Sequence, residues 1–352
     1  MIIREFKFLP YSLKLKRPFV NSNFTITSRN GFIIKITDEN GFVGFGDVAP
    51  LPGFSVETLD KCEVQLNRIY YSIIAKGAKD EPFNLSTELQ SLSNLPSLRF
   101  GIEQAIIALL TKREEITTLL QKNTVIKVNG VVGLGSKEKT LKAIDDLLAD
   151  DFKTIKIKVG SKSFKDDIGL IETIMKRIDE SIKLRIDVNG KWSFEEAESA
   201  VNNLDKSKIE LIEQPLDNIN ELVMLSDLSP IPIAVDEIIK TGNDAKNLIE
   251  KSNIQHFVLK PSILGGVIET IGLIKSAETL NKKTIISSAF ESVVGRSMIG
   301  LLASLITEDY AHGLNTASFF ENDLDTDTYP VSKGKIEFKY ENYPPDFYGI
   351  SL

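Results

Sequence analysis

The sequence predicts an α/β protein: a TIM-type (β/α) barrel carrying an N-terminal α+β capping unit. Three observations predict it. From about residue 124, short apolar runs alternate with amphipathic helical stretches. These runs end near Asn129, Lys158, Asp187, Glu213, Asp236, Lys260, Ser287 and Asn315, at successive gaps of 29, 29, 26, 23, 24, 27 and 28 residues. One strand, one helix and two short loops fill such a gap, and eight such units close a parallel barrel. The preceding residues lack this period, and ionisable residues stand at the ends of the predicted strands, where a barrel gathers its catalytic groups.

Taken in order, residues 1–18 and "GFIIKITDENGFVGFGDVAP" (31–50) alternate apolar and polar around the turn "DENG", which predicts a β-meander. Helices are expected in "SVETLDKCEVQLNRIYYSII" and "PSLRFGIEQAIIALLTKR", where apolar residues recur at helical spacing. The expected division is therefore 1–123 for the capping unit and 124–316 for the barrel. The tail 317–352, with strand-like alternation and no following helix, is expected to return to the first unit. A chain of 352 residues is long enough for two cores. Its net charge of -7, with the two signs well mixed, supplies no positive field for nucleic acid or anionic lipid. A lone cysteine, Cys62, excludes an intrachain disulfide framework and suits a reducing cytoplasm. The first 19 residues break their apolar stretches with charge, so neither a signal peptide nor a membrane span is expected there.

Asp187, Glu213 and Asp236 end three consecutive predicted strands, so strands spaced about 4.8 Å apart bring three carboxylates to one rim. Singly, each has an ordinary explanation as a helix cap or a partner of some lysine. Together, after runs as apolar as "KLRI", "IELI" and "PIAV", they call for a cation, and hard oxygen ligands favour Mg²⁺ or Mn²⁺. In "TIKIK" Lys156 and Lys158 share one strand face, the barrel interior, while Lys260 ends a strand four staves on and hence on the opposite wall. An exposed edge strand would also carry such lysines, but strands of a parallel barrel are covered by helices. A neighbouring ammonium and a divalent cation both favour a neutral amine, so Lys156 is expected to depress Lys158 and make it a base. A base beside a divalent cation is equipment for taking a proton from carbon next to a carboxylate.

These residues resemble the enolase superfamily, in its muconate-lactonizing-enzyme-like subgroup, and the resemblance runs along the whole chain. "GFGDVAPLPGFSVETL" resembles the capping loop, and "IDVNGKW", "IEQPL", "AVDEII" and "LKPSILGG" follow in the family's order. A Lys base with Mg²⁺ holding an enediolate is a known pattern of that superfamily. The resemblance implies an enolase-like, modified (β/α)7β barrel, with Asp187, Glu213 and Asp236 as Mg²⁺ ligands (Mn²⁺ as the alternative). It also implies Lys158 as the base, Lys260 opposite, and a small carboxylate as substrate. "SSAFESVVG", "VNG" and "HGLNTASFFENDL" resemble segments of the o-succinylbenzoate synthase family, which dehydrates a cyclohexadiene carboxylate.

Further candidates are Arg185, sharing Asp187's face, and Asn129, Ser287 and Ser288 as donors to the substrate. Asn189 and Glu237 follow the metal ligands as their supports, and Phe19, Phe54 and Phe290 are candidate apolar walls. Each has a plainer role: Arg185 in an internal ion pair, Asn129 in a turn, the serines at helix starts, the phenylalanines in the core. Trp192, His256 and His312 are expected to be structural. The same metal and lysines also serve racemases and dipeptide epimerases of the subgroup, although "HGLNTASFF" lacks the Asp-x-Asp pair that dipeptide epimerases carry there. Muconate cycloisomerisation is a third option. A non-catalytic acid-binding barrel is the alternative from another class, and oligomeric state stays open.

Overall fold

The computed structural model describes residues 1–352 except 21–24, 78, 80, 83–88, 117–122, 348 and 351–352. In the first unit, β1 (Ile3–Val20), β2 (Thr25–Asp38) and β3 (Val43–Val48) form an antiparallel sheet in that order. Helices α1 (Leu59–Gly77) and α2 (Pro96–Lys112) pack on it. The alternation read in the sequence becomes a buried face of Phe6, Phe32, Ile34 and Ile36, which meets Cys62, Leu66, Leu98 and Ile102 of the helices. β3 and α2 touch backbone to backbone: a Cβ on Gly46 would lie 1.9 Å from the Gly101 carbonyl oxygen, so only glycine permits the approach.

The second unit is the barrel. Seven parallel strands follow one another around it: β5 (Gly130–Val132), β6 (Thr154–Lys158), β7 (Lys183–Asp187), β8 (Ile209–Glu213), β9 (Ile233–Val235), β10 (His256–Leu259) and β11 (Lys283–Ile286). The helices α3 (Lys137–Ala149), α4 (Phe164–Arg177), α5 (Phe194–Asn203), α6 (Ile219–Leu228), α7 (Gly242–Lys251), α8 (Pro261–Leu264), α9 (Val267–Thr279) and α10 (Val293–Ser304) lie between and after them. Apolar side chains that point outward from the strands, such as Ile155, Ile157, Ile186 and Ile212, meet this helix layer in one continuous core. His312 and Gly313 close the ring, bridging in parallel to Val128 on one side and Ser287 on the other. The eighth stave is thus two bridged residues, which agrees with a modified (β/α)7β barrel.

The first stave needs a correction. "VIKVN" reads as one strand ending at Asn129, but the ring strand is Gly130–Val132. The preceding β4 (Thr124–Lys127) pairs antiparallel with β12 (Lys335–Phe338), whose Ile336 and Phe338 bury beside Ile126. The tail, expected to return to the first unit, has a divided path. Phe320 bridges to Leu15, and the Phe347 ring meets Phe45 edge-on at 5.7 Å, whereas β12 lies against the start of the barrel. Among the described residues no helix is long and apolar enough to cross a membrane.

Both histidines serve the barrel's construction. His312 Nδ1 accepts from the Ile286 N–H at 3.0 Å, and His256 stacks edge-on to Tyr310. Burial, helped by Arg185, pushes His312 down to about 3, and burial, helped by Lys283 and Arg185, pushes His256 down to about 4. Both rings are therefore neutral when folded and charge more readily when unfolded. Their contribution is complete above about pH 6.5 and is lost as the pH falls from there toward those values. Urea unfolding at pH 7 and pH 5 is expected to show a loss of up to about 1.4 kcal/mol per pH unit for each histidine. His312→Gln is expected to flatten that slope, and an unchanged slope would show that another group sets it.

Candidate active site

A cavity of about 90 Å³ opens where the barrel's carboxyl-terminal rim meets the first unit. Its floor is polar: Lys156 and Lys158 from β6, Asp187 from β7, Asp236 and Glu237 after β9, and Lys260 after β10. Strand register sets Lys158 beside Asp187 and Asp187 beside Glu213 across three adjacent staves, although Glu213, buried behind its pairing with Lys156, does not itself line the cavity. β6 and β10 stand four staves apart in the ring, which puts Lys260 on the wall facing Lys158.

The acids are free of capping duty. The helices that follow Asp187, Glu213 and Asp236 are capped instead by Ser193, Asn218 and Thr241, whose side chains accept from the first-turn N–H groups. The carboxylates turn inward to the lysines. Lys156 Nζ lies 2.8 Å from Glu213 Oε1 and 3.2 Å from Asp187 Oδ2. Lys158 Nζ donates to Asp187 Oδ2 at 2.8 Å and to Asn189 Oδ1 at 3.0 Å, and Lys260 pairs closely with Asp236. Asn189, in a left-handed conformation at φ 53°, donates onward to Glu237.

The electrostatics follow from this packing. Burial opposes the Lys156 charge, but Asp187, Glu213 and Asp236 outweigh it and hold the ammonium above its ordinary range. Lys260 is raised in the same way, with Asp236 and Glu237 overcoming burial. For Asp187, burial is outweighed by Lys156 and Lys158, which hold it below the usual carboxylate range. Glu213, with one lysine and two acids about it, is pushed by burial up to about 7. Lys156 is drawn between two carboxylates, whose attraction exceeds the cost of burying its charge.

Among the described residues no three acidic, histidine or cysteine side chains stand close enough to form a finished metal cage, since each acid is turned to a lysine. The donor set nonetheless suits a hard divalent cation. It is all carboxylate oxygen, and Asp187 Oδ1 is buried without a hydrogen-bond partner.

The cavity roof is apolar. Phe19, Leu51 and Phe54 come from the first unit, Ala289 and Phe290 from the turn after β11, and Phe319 from beyond the eighth stave. Phe19, Phe290 and Phe319 meet edge to face at 4.7–5.8 Å, and Lys260 Nζ sits 4.8 Å from the Phe54 ring centre. Ser287, Ser288, Asn315 and Thr316 supply hydroxyl and amide groups on the side of β11 and the eighth stave. The sequence reading did not single out Leu51, Thr316 or Phe319 as site residues; "ASFF" just past the closing stave was the one available signal for Phe319.

Arg185 and Asn129 are not brought to the cavity. Both are 1% exposed inside the barrel, where Arg185 pairs with Glu210 and donates to Asn129 Oδ1 at 3.3 Å, the internal ion pair that was its plainer reading. Trp192 is buried and donates to Asp167.

Comparisons with known proteins agree with this picture. Residues 139–350 match the Enolase C-terminal domain-like family, and residues 3–109 match the MenC N-terminal domain. An o-succinylbenzoate synthase of Aliivibrio fischeri is 27% identical over 331 residues, 91% of this chain and 92% of that one. Protein PHYLLO, chloroplastic, of Arabidopsis thaliana is 27% identical across 96% of this chain, which spans 22% of PHYLLO's length. Among solved structures, MenC from Desulfotalea psychrophila has a TM-score of 0.77 at 23% identity, covering 96% of this chain and all of that one. The L-Ala-D/L-Glu epimerase of Bacillus subtilis has 0.86 at 21% identity, covering 96% and 97%. The two share the fold with this chain.

Lys156→Met would leave Glu213 and Asp187 facing each other without the ammonium between them. A loss of about 3 kcal/mol is expected in urea unfolding at pH 7. Unchanged stability would show that the acids do not depend on that lysine.

Proposed function

Because the chain belongs to the Enolase C-terminal domain-like family, we propose that it is an o-succinylbenzoate synthase. In this reading it removes water from 2-succinyl-6-hydroxy-2,4-cyclohexadiene-1-carboxylate to give 2-succinylbenzoate, for menaquinone biosynthesis in the cytoplasm. The observation that carries the reaction type is the pair of lysines, Lys158 and Lys260, on facing walls of one small cavity that Asp187, Asp236 and Glu237 also line. Asp187, Glu213 and Asp236 would hold Mg²⁺, which when bound supplies positive charge to an enediolate. Lys158 takes the proton from the ring carbon beside the carboxylate. The same amine then returns its proton to the departing hydroxyl, so that water leaves and the ring becomes aromatic. Lys260, from the other face, stabilises the negative charge that develops. Asn189 orients Lys158 through its side-chain oxygen.

Two features favour dehydration of a ring over racemisation of an amino acid or dipeptide. The aromatic roof suits a flat carbocycle. The segment that follows the eighth stave offers Asn315, Thr316 and Phe319 to the cavity, and among the described residues lining that side there is no carboxylate to receive a substrate ammonium. The curated relative of that name aligns along nearly the full length of both chains. The hydroxyl of Ser287 is the proposed donor to the succinyl carboxylate, since Ser288 gives its own to Glu291 and accepts from Thr316.

Lys158→Ala is expected to lower turnover of the cyclohexadiene acid by about 10³-fold or more while the circular dichroism spectrum stays unchanged; turnover at the wild-type rate would remove Lys158 from the role of base. A panel of N-succinylamino acids run in parallel reports racemisation, and racemisation outpacing dehydration would favour the epimerase reading. Binding of 2-succinylbenzoate without any turnover would favour the non-catalytic barrel. Adding Mg²⁺ is expected to raise the melting temperature of the wild type, as binding to the folded state must. The rise should disappear in Asp187→Asn, and a rise that persists there would place the cation elsewhere.

A further inference from the structure

One buried carboxylate of the first unit has no part in that chemistry. Asp47, in β3, is 1% exposed and does not line the cavity. Its Oδ1 accepts from the Tyr11 hydroxyl at 2.8 Å, and its Oδ2 accepts from both the backbone N–H and the hydroxyl of Ser292, each at 2.8 Å. Ser292 is the N-cap of α10, yet its own side chain makes no capping bond: the Val293 N–H goes to Asp323 Oδ1 at 3.0 Å, and Asp47, from the other unit, holds Ser292 itself. Beside it, Gln104 of α2 accepts from the Asp47 N–H at 3.1 Å and donates to the Val294 carbonyl at 2.6 Å. Gly295 allows the approach, since a Cβ there would lie 2.7 Å from Asp47 Oδ2. Two polar side chains of the first unit thus grip the first turn of α10 across the boundary between units.

What they grip leads directly into the cavity. Ser292 ends the turn that presents Ser288, Ala289 and Phe290 to the cavity, and Phe290 sits there at φ 63°, a conformation that a bulky residue holds only under constraint. From within the barrel, Glu291 constrains the turn by accepting from Ser288 Oγ at 2.5 Å, the Ala289 N–H at 2.7 Å and Ser262 Oγ at 2.6 Å. From the first unit, Asp47 constrains it through Ser292. The same β3 exit continues to Leu51 and Phe54 of the roof, and Arg29 fixes it by donating to the carbonyls of Ala49 and Pro50.

We propose that Asp47 is a positioning residue. Through Ser292 it sets the Ser288–Phe290 turn in register with the Leu51–Phe54 loop, so that substrate meets both walls at once. The inference holds for whichever small acid the cavity takes. Hydrogen exchange and steady-state kinetics test it together. Asp47→Ala is expected to speed amide exchange across residues 288–296 about tenfold and to raise KM about tenfold with kcat within about threefold, the size of effect that losing charge-assisted hydrogen bonds produces. Asp47→Asn, which keeps an oxygen acceptor for Ser292, is expected to restore both. If Asp47→Ala does not fold, Ser292→Ala removes one of the two bonds and is expected to show the same changes at about threefold. Unaltered exchange over 288–296, or a lower melting temperature with KM unchanged, overturns the proposal. Absence of wild-type turnover with the cyclohexadiene acid would count against the proposed function, while the exchange measurement still decides the role of Asp47.

Discussion

The site depends on one electrostatic constraint: carboxylates crowded at a poorly hydrated barrel rim must be matched by positive charge held equally close. Asp187 and Glu213 are level neighbours on adjacent staves, and Asp236 follows the next stave. In water such proximity costs little, but in a buried rim each unpaired anion is expensive. Lys156, Lys158 and Lys260 provide the match, and the short contacts among them are the consequence. A cluster with this much charge and so little water responds strongly to any added cation or to loss of a proton, the condition that chemistry beside a carboxylate needs.

The rest of the fold keeps the cluster in place and free to act. Separate cap residues on the helices after β7, β8 and β9 leave the strand-end acids with their oxygens directed inward. The ring closes through His312 and Gly313, which completes the barrel without a long eighth strand and leaves Asn315 and Thr316 at the rim. The first unit roofs the rim with Phe19, Leu51 and Phe54, and its grip on α10 through Asp47 and Gln104 joins roof and rim. Polar floor and aromatic roof together define the cavity.

Much of this was legible in the sequence because period and strand-end chemistry are local signals. The spacing from Asn129 to Asn315 carried the barrel, and the acids after three apolar runs are the ones that meet the lysines at its rim. The rest depended on contacts that no local pattern carries. That most of "VIKVN" pairs outside the ring, whose strand starts only at Gly130, follows from its pairing with "KIEF" some 200 residues later. Arg185 shares the inward face of Asp187, but the pull of Glu210 and Asn129 keeps it below the cavity, and only tertiary geometry shows that. The close pairing of Lys156 with both Glu213 and Asp187 depends on side-chain reach across two neighbouring strands, which spacing along the chain does not show. Phe319 and Thr316 reach the cavity from a single 3-10 turn, too short for side-chain direction to show a period.

The most direct measurement is a crystal structure grown with Mn²⁺ and 2-succinylbenzoate, with the cation located by its anomalous scattering. The account predicts one Mn²⁺ peak bound by Asp187, Glu213 and Asp236, with the ring carboxylate beside it and the Lys158 and Lys260 amines on opposite faces of the ring. A peak bound elsewhere, or both amines on one side of the ligand, would contradict it.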